Sequence, residues 1–233
     1  ESGAKQDKEG GKSDIDLDAG KKAKSVKLGE SIEIFPHRHL KNLDNGPVKA
    51  YAAQNKSKMP CYALLCGREN LPRWQYAQKY VGVVNQSAVR LVGSGVVKWP
   101  ADNREYYTFV YEKSAETPLV TDLKSTALRW SQDEVMKRFI KPVVNVLLDL
   151  RDMDMVHGNI RLTNIYQKGK TKDENLILGD CLSVPISAAQ PRICESLPRA
   201  LADPMGRGIT TQKEDIYAFG VALAMLLRTN DPL

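Results

Sequence analysis

The sequence contains no apolar run approaching the roughly 20 residues that a membrane helix needs. Its N-terminus is polar and lacks the apolar core of a signal peptide. We therefore expect a cytoplasmic protein with no membrane segment in this chain. Because the chain begins at Glu1 rather than at a methionine, we also expect it to be a fragment of a longer parent chain.

Cysteine and histidine are scarce, with four cysteines and three histidines among 233 residues. The pair Cys61-x4-Cys66 does not have the C-x2-C spacing of a zinc site, and Cys181 and Cys194 are more widely spaced still. We therefore expect small buried thiols in a reducing compartment rather than a zinc centre.

A dense basic patch is absent as well. The 34 basic and 28 acidic residues give a formal charge of +6 that is spread thinly along the chain. No basic run is interleaved with aromatic residues for base stacking, so we expect no nucleic-acid partner. Residues 1–29 hold seven lysines and six acidic residues but few apolar ones. Such a segment buries too little surface to offset its ordering entropy, and we predict a disordered lead or linker there.

Strand-like segments are predicted from residue 31 to residue 111, separated by proline, glycine and asparagine turns. One helix is predicted to interrupt them, beginning near Asn70 with Pro72 in its first turn. The strand-like segments are 32–34, 48–51, 61–66, 89–97 and 106–111.

The second half of the sequence changes to helical periodicity. Ser131 and Glu134 form a capping-box pattern before a long amphipathic helix that Pro142 is predicted to kink. Two short strands, 165–167 and 176–178, are predicted to form a hairpin. A second capping-box pattern at residues 211–214 opens a helix to about residue 227. This last helix is apolar nearly all round, so we predict that it lies buried in the centre of a lobe.

Five short motifs occur in the order found in protein kinases. Upstream, 62–65 looks like V-A-I-K and 109–112 looks like the fifth strand running into the hinge. Downstream, 156–165 resembles the catalytic loop H-R-D-L-x-x-x-N, 178–182 stands in the place of D-F-G, and 215–220 resembles the start of the family's buried central helix.

The chain therefore resembles bacterial-type serine/threonine protein kinases over roughly residues 31–230. The resemblance implies an α+β, bilobal protein kinase-like fold. A five-stranded antiparallel N-lobe with one helix would occupy residues 30–113. A mainly helical C-lobe, apparently truncated after the central buried helix, would occupy residues 114–233.

The same resemblance implies that catalysis is lost. Phosphoryl transfer in kinases needs a catalytic aspartate and a lysine that is held by a glutamate. Asn159 stands in the place of the aspartate, and an amide cannot act as a base at neutral pH. Leu65 stands in the place of the lysine. From Asn70 through Ala101 there is no acidic residue that could pair with such a lysine.

Vestiges of a nucleotide site remain in this alignment. Asn164 and Asp180 match the two metal-binding positions and are possible ligands of a metal ion. His157 and Asp215 match positions that hold the loop to the core, so we expect Asp215 to matter more for folding than Asp180. The positions that would line a vestigial nucleotide cleft are Gly46, Val48, Ala63 and Glu112.

The leading interpretation is a pseudokinase that acts as a regulatory or protein-binding module, with no cofactor. Its partner would be another protein or other domains of the parent chain. One alternative is an atypical active kinase or nucleotide transferase in which Asn164 and Asp180 hold ATP with Mg²⁺. Another is a basic nucleic-acid adaptor on the same fold.

Overall fold

A computed structural model describes residues 25–114, 117–121, 130–168, 176–201 and 211–227. Its first half is one six-stranded antiparallel sheet in the order β1-β2-β3-β4-β6-β5. The strands are β1 (Val26–Leu28), β2 (Ile32–His39), β3 (Lys49–Asn55), β4 (Pro60–Cys66), β5 (Leu91–Lys98) and β6 (Glu105–Glu112).

The two edges of this sheet, β1 and β5, curl round until they touch, so the sheet forms a nearly closed barrel. Glycines on β5 make this approach possible. A Cβ atom added to Gly93 would lie 2.8 Å from Cδ1 of Ile32, and one added to Gly95 would lie 3.0 Å from Cδ1 of Leu28. Side chains at these two positions would therefore push the edges apart.

Successive side chains of a strand point to opposite faces, and both faces of β4 are buried. Ala63 and Leu65 point into the barrel interior, whereas Tyr62, Leu64 and Cys66 pack outwards against the second half of the chain. The buried hydrophobic side chains of the barrel interior are Leu28, Ile32, Ile34, Ala53, Cys61, Ala63, Leu65, Val97, Trp99 and Val110. Thr108, which is opposite Leu65 and fully buried, adds one hydroxyl to this interior.

The second half contains a three-stranded antiparallel sheet and a few helices. The hairpin predicted at 165–167 and 176–178 is confirmed. The strands are β7 (Thr117–Pro118), β8 (Ile165–Gln167) and β9 (Leu176–Leu178). The α-helices of the whole described chain are α1 (Ala77–Tyr80), α2 (Gln132–Glu134), α3 (Lys141–Asp152), α4 (Leu197–Leu201) and α5 (Gln212–Leu227). The 3-10 turns are Lys41–Leu43, Arg68–Asn70, Trp74–Tyr76, Leu162–Asn164 and Arg192–Cys194.

The capping box predicted before the long helix is confirmed. The Ser131 side chain accepts from the Glu134 backbone N–H, and the Glu134 carboxylate accepts from the Ser131 N–H. A π-helical turn, Val135–Ile140, then joins α2 to α3 just before Pro142. Proline cannot donate the usual intrahelical hydrogen bond, so the irregularity is at the position where the sequence predicts a kink.

The bilobal protein kinase-like fold is wrong for this chain. The sheet has six strands and nearly closes, whereas the resemblance implies a five-stranded lobe. The helix predicted from Asn70 is only a 3-10 turn and the four-residue α1, because Pro72 and a left-handed Leu71 (φ 45°) interrupt it. In place of a mainly helical lobe, the second half has its own sheet. Within the described ranges, only α3 and α5 exceed six residues.

The prediction that α5 is buried all round is also wrong. Only one face of it is buried, through Asp215, Ala218, Ala222 and Leu226. Ile216 on the opposite face is 64% exposed. An apolar helix can therefore lie at the surface of the described structure, which its composition alone does not indicate.

The prediction of a disordered lead over residues 1–29 is wrong for residues 26–28. Val26–Leu28 forms β1 and pairs with β2 through Leu28 opposite Ile32. Residues 1–24 lie outside the described residues, so the rest of that prediction is untested. Across the part of the chain that the structure covers, no helix combines the length and apolar character needed to span a membrane.

Candidate functional site

A cluster of buried polar side chains lies where the barrel meets the second half. At its centre is Asp180, which follows β9 and is 3% exposed. Its Oδ1 accepts from the Tyr111 hydroxyl and from the Leu182 N–H at 3.0 Å. Its Oδ2 accepts from Asn45 Nδ2 at 2.7 Å and from the Ser183 hydroxyl. The Ser183 N–H adds a further bond at 3.1 Å. Protein donors thus occupy the roughly four lone-pair sites of a carboxylate.

The two asparagines that match kinase positions are also buried and bonded. Asn159 Nδ2 donates to the Asp180 carbonyl at 2.9 Å and to Asn45 Oδ1 at 3.2 Å. Asn164 Nδ2 donates to the Asn159 carbonyl at 2.8 Å and to the Asp180 carbonyl at 3.0 Å. The structure therefore brings Asn159, Asn164 and Asp180 together. Their bonds hold loop backbone in place.

Two arginines that the sequence analysis missed belong to this cluster. Arg161 donates to Asn159 Oδ1 at 3.0 Å and to Asn45 Oδ1 at 2.9 Å, and burial lowers its pKa. The Arg73 guanidinium donates to the Cys181 carbonyl at 2.8 Å and to the His157 carbonyl at 3.1 Å. The segment after Asn70, which lacks acidic residues, thus contributes a buried cation.

The contact predicted between Asp215 and the His157 loop is confirmed. The Asp215 carboxylate accepts the backbone N–H of His157 at 2.7 Å and that of Gly158 at 2.8 Å. Burial raises the pKa of Asp215 to about 6, although these two bonds act in the opposite direction. Burial also lowers the pKa of His157 to about 4, and the neutral ring donates Nε2–H to the Gly179 carbonyl at 3.1 Å.

The backbone conformation and the close packing at position 158 require a glycine there. Its φ is +68°, and an added Cβ would lie 2.5 Å from Cγ2 of Ile186. Only glycine fits such a backbone position without strain. The residue that replaces an arginine of the kinase motif is therefore needed for this loop conformation.

The structure scatters the residues predicted to line a nucleotide cleft. Ala63 is in the barrel interior, whereas Val48 packs on the outer face of the sheet. Gly46 occupies a turn with φ +58°, next to Ala189. Glu112 ends β6 and lies 3.9 Å from the Arg90 guanidinium.

Leu65 also faces away from the polar cluster, towards the barrel interior. A lysine introduced at position 65 would therefore point into the barrel and not towards Asp180. Lys49, which follows Val48 at the start of β3, is exposed and its Nζ lies 3.1 Å from Asp44 Oδ2.

An open groove of about 480 Å³ lies elsewhere, on the outer face of β4, β6 and β5. Leu71, Trp74 and Val96 line it and are 69%, 61% and 59% exposed. A neighbouring groove of about 330 Å³ shares Arg68 with it. The sequence analysis missed both, because the left-handed Leu71 turn that opens the space has no strong sequence signal.

Among the described residues, no group of three histidine, cysteine, aspartate or glutamate side chains is placed to hold a metal ion. No known protein-family model matches the chain, and no curated protein is significantly similar to it. The kinase resemblance therefore stays a resemblance of short motifs.

Proposed function

We propose that this chain is a catalytically impaired regulatory or protein-binding module. The observation that supports the proposal most strongly is that protein donors occupy the acceptor sites of the Asp180 carboxylate. A metal ion that joined Asp180 would have to displace the Asn45 amide or the Tyr111 hydroxyl, and it would leave that buried donor unpaired. Each lost bond of this kind costs about 1–3 kcal/mol.

The chemistry at Asn159 supports the same proposal. Its amide has no basic lone pair at neutral pH, and its Nδ2 is committed to two acceptors. With no base here and no free carboxylate at Asp180, the cluster has the features of a structural junction between barrel and second half.

The groove beside Trp74 supports a binding role, because exposed apolar side chains that line a concavity are typical of interaction sites. The partner would be another protein or a further domain of the parent chain. A cytoplasmic location is part of the proposal. It is supported by four free cysteines, which are all buried and unpaired.

Thermal unfolding of the full chain with and without ATP and Mg²⁺ or Mn²⁺ tests the proposal. We expect no nucleotide-dependent rise in Tm and no transfer of labelled phosphate above a heat-killed control. A ligand at 100 times its Kd would add about 2.7 kcal/mol to the stability. A metal-dependent rise of that size would favour the alternative of an active kinase or nucleotide transferase. Salt-sensitive retention on an anionic column would favour a nucleic-acid adaptor.

A further inference from the structure

Asn45 is followed by Gly46, and the sequence contains no other asparagine that precedes a glycine. In such a pair the backbone nitrogen of the glycine can attack the side-chain amide carbon of the asparagine, because glycine has no Cβ to hinder the approach. Asparagine is one of the thermolabile residues of proteins. Gly46 is exposed at a turn, whereas Asn45 is buried where the barrel meets the second half. The most reactive asparagine of the chain is therefore part of the polar junction.

The reaction is a deamidation, and water is its only co-reactant. The Gly46 nitrogen loses its proton and bonds to Cγ of Asn45, while the bond between Cγ and the amide nitrogen breaks. The amide nitrogen takes up a proton and leaves as ammonia, so that a cyclic succinimide remains. Water then opens the ring at either carbonyl carbon. The product at position 45 is an aspartate or an isoaspartate, which releases a proton.

Hydrogen bonds hold the Asn45 side chain in the folded junction. It is 3% exposed, and its Nδ2 donates to Asp180 Oδ2 at 2.7 Å and to Ser183 Oγ at 2.9 Å. Its Oδ1 accepts from Asn159 at 3.2 Å and from Arg161 at 2.9 Å. These are all the bonds that an amide side chain can make. They restrain rotation of the amide towards the next backbone nitrogen, so we expect the reaction to require local opening of the junction.

Either product would disrupt the junction. In an aspartate, an oxygen replaces the Nδ2 that now lies 2.7 Å from the Asp180 carboxylate. Two carboxylates at that distance cannot both be ionised. Arg161, on the Oδ1 side, can offset only one of the two charges. An isoaspartate moves one carbon from the side chain into the backbone, so its shorter side chain cannot replace the present contacts.

We propose that Asn45 is a deamidation site whose reaction rate the junction controls, and that the modification uncouples the barrel from the second half. The step has no chemical reversal in the chain itself. An event that opens the junction, such as partial unfolding, thus becomes permanent once position 45 has reacted. The inference goes beyond the proposed function, because it requires neither a nucleotide nor a partner.

Mass spectrometry of the tryptic peptide 42–49 tests the proposal after incubation of the full chain at mildly alkaline pH. Lys41 and Lys49 bound this peptide, and Asn42 within it is an internal reference because a leucine follows it. In urea, we expect position 45 to react faster than Asn42. In the folded chain, position 45 should react at least about tenfold more slowly than in urea, a change of about 1.4 kcal/mol.

Two variants separate opening of the junction from a general loss of stability. Ser183→Ala removes one acceptor of the Asn45 amide and should speed the reaction in the folded chain about threefold to tenfold. Asn85→Ala is the matched control, because it removes a 2.6 Å bond to Asp149 instead. It should keep the wild-type rate. Equal rates in all three proteins, or equal acceleration in both variants, would overturn control by the junction.

The product is tested directly with Asn45→Asp, which should lower Tm by about 5 °C or more. Asn103→Asp makes the same change at an exposed turn and should leave Tm unchanged. An unchanged Tm for Asn45→Asp would overturn the uncoupling. A reaction as fast in the folded chain as in urea would also overturn the proposal, since the donors to Oδ1 would then promote the attack. None of these results bears on ATP binding, so this inference and the proposed function can fail separately.

Discussion

The molecule has two buried regions of opposite chemistry. The barrel interior is lined mainly by apolar side chains, such as Leu65 and Val110, and Thr108 is the buried polar residue among those described there. The junction with the second half surrounds Asp180 with hydrogen-bonded polar groups, of which Asn45 and Tyr111 come from the barrel. Apolar burial is non-directional, whereas a buried polar network is satisfied in one arrangement only. The interior can therefore stabilise the barrel while the junction fixes how the loops sit on it.

The largest expected effect comes from placing a charge in the apolar region. Leu65→Lys should lower the free energy of unfolding by about 3–5 kcal/mol, because the ammonium would be buried without a partner. Urea denaturation at pH 7 measures this, with Leu148→Lys on the exposed face of α3 as the control. Near wild-type stability for Leu65→Lys would mean that position 65 does not face the interior.

The next largest effect is expected when the Asp180 carboxylate, at the centre of the polar region, is removed. Asp180→Ala should cost about 3 kcal/mol, because several buried donors lose their acceptor together. The exposed Asp152, paired with Arg151 at 2.8 Å, gives a control substitution to alanine that should cost less than about 0.5 kcal/mol. A similar small loss for both variants in chemical denaturation would contradict the role given to Asp180.

Asp215→Ala should have a smaller effect, about 2 kcal/mol, since two backbone donors lose their acceptor there. The sequence alone predicts the reverse order, with Asp215 more important than Asp180. Urea titrations of the two alanine variants, run side by side, decide between the orders. A larger loss for Asp215→Ala would restore the ranking from the sequence.

The smallest change in the free energy of unfolding is expected on acidification of the wild type, because the pKa shifts of His157 and Asp215 change the stability in opposite directions. The His157 pKa is about 4 in the folded state and near 6.5 when unfolded, so its contribution to stability is lost as pH falls through this window. The Asp215 pKa is about 6 when folded and near 3.8 when unfolded, so its contribution increases as pH falls between these values.

Substitution separates the two contributions. We expect Asp215→Asn to lose stability between pH 6.5 and pH 4, relative to the wild type, because only the histidine contribution remains. His157→Gln should instead gain stability over the same interval. The measurement is the urea midpoint at several pH values. Parallel pH profiles for both variants and the wild type would show that neither group titrates as described.

The barrel strands β2 to β6 and the hairpin were predictable because local patterns determine them. Turn residues bound segments such as 61–66, and the capping box at Ser131 is a local signal too. The contact between Asp215 and the His157 loop was also predictable, from a motif. Barrel closure was not, because β1 follows a lysine-rich lead and the closing contacts are made by glycines.

The site was predicted less well, for two physical reasons. Every residue of β4 from Cys61 to Cys66 is buried, so no alternation of apolar and polar residues shows which way Leu65 points. The partners of Asp180 are also remote in sequence. Asn45 is 135 residues away and Tyr111 is 69 residues away. No local spacing rule connects residues so far apart.

The same separation sets an order of events during synthesis. A chain emerges N-terminus first at about 5–20 residues per second, so Asn45, before β3, and Tyr111, on β6, leave the ribosome several seconds before Asp180. Until then their polar groups have water as a partner, and the outer face of β4 lacks the part of its packing that Cys181, Leu182 and later residues supply. Contacts of such long sequence separation also slow folding in general. The barrel strands thus wait for the last partners of their outer face until the second half of the chain has been synthesised.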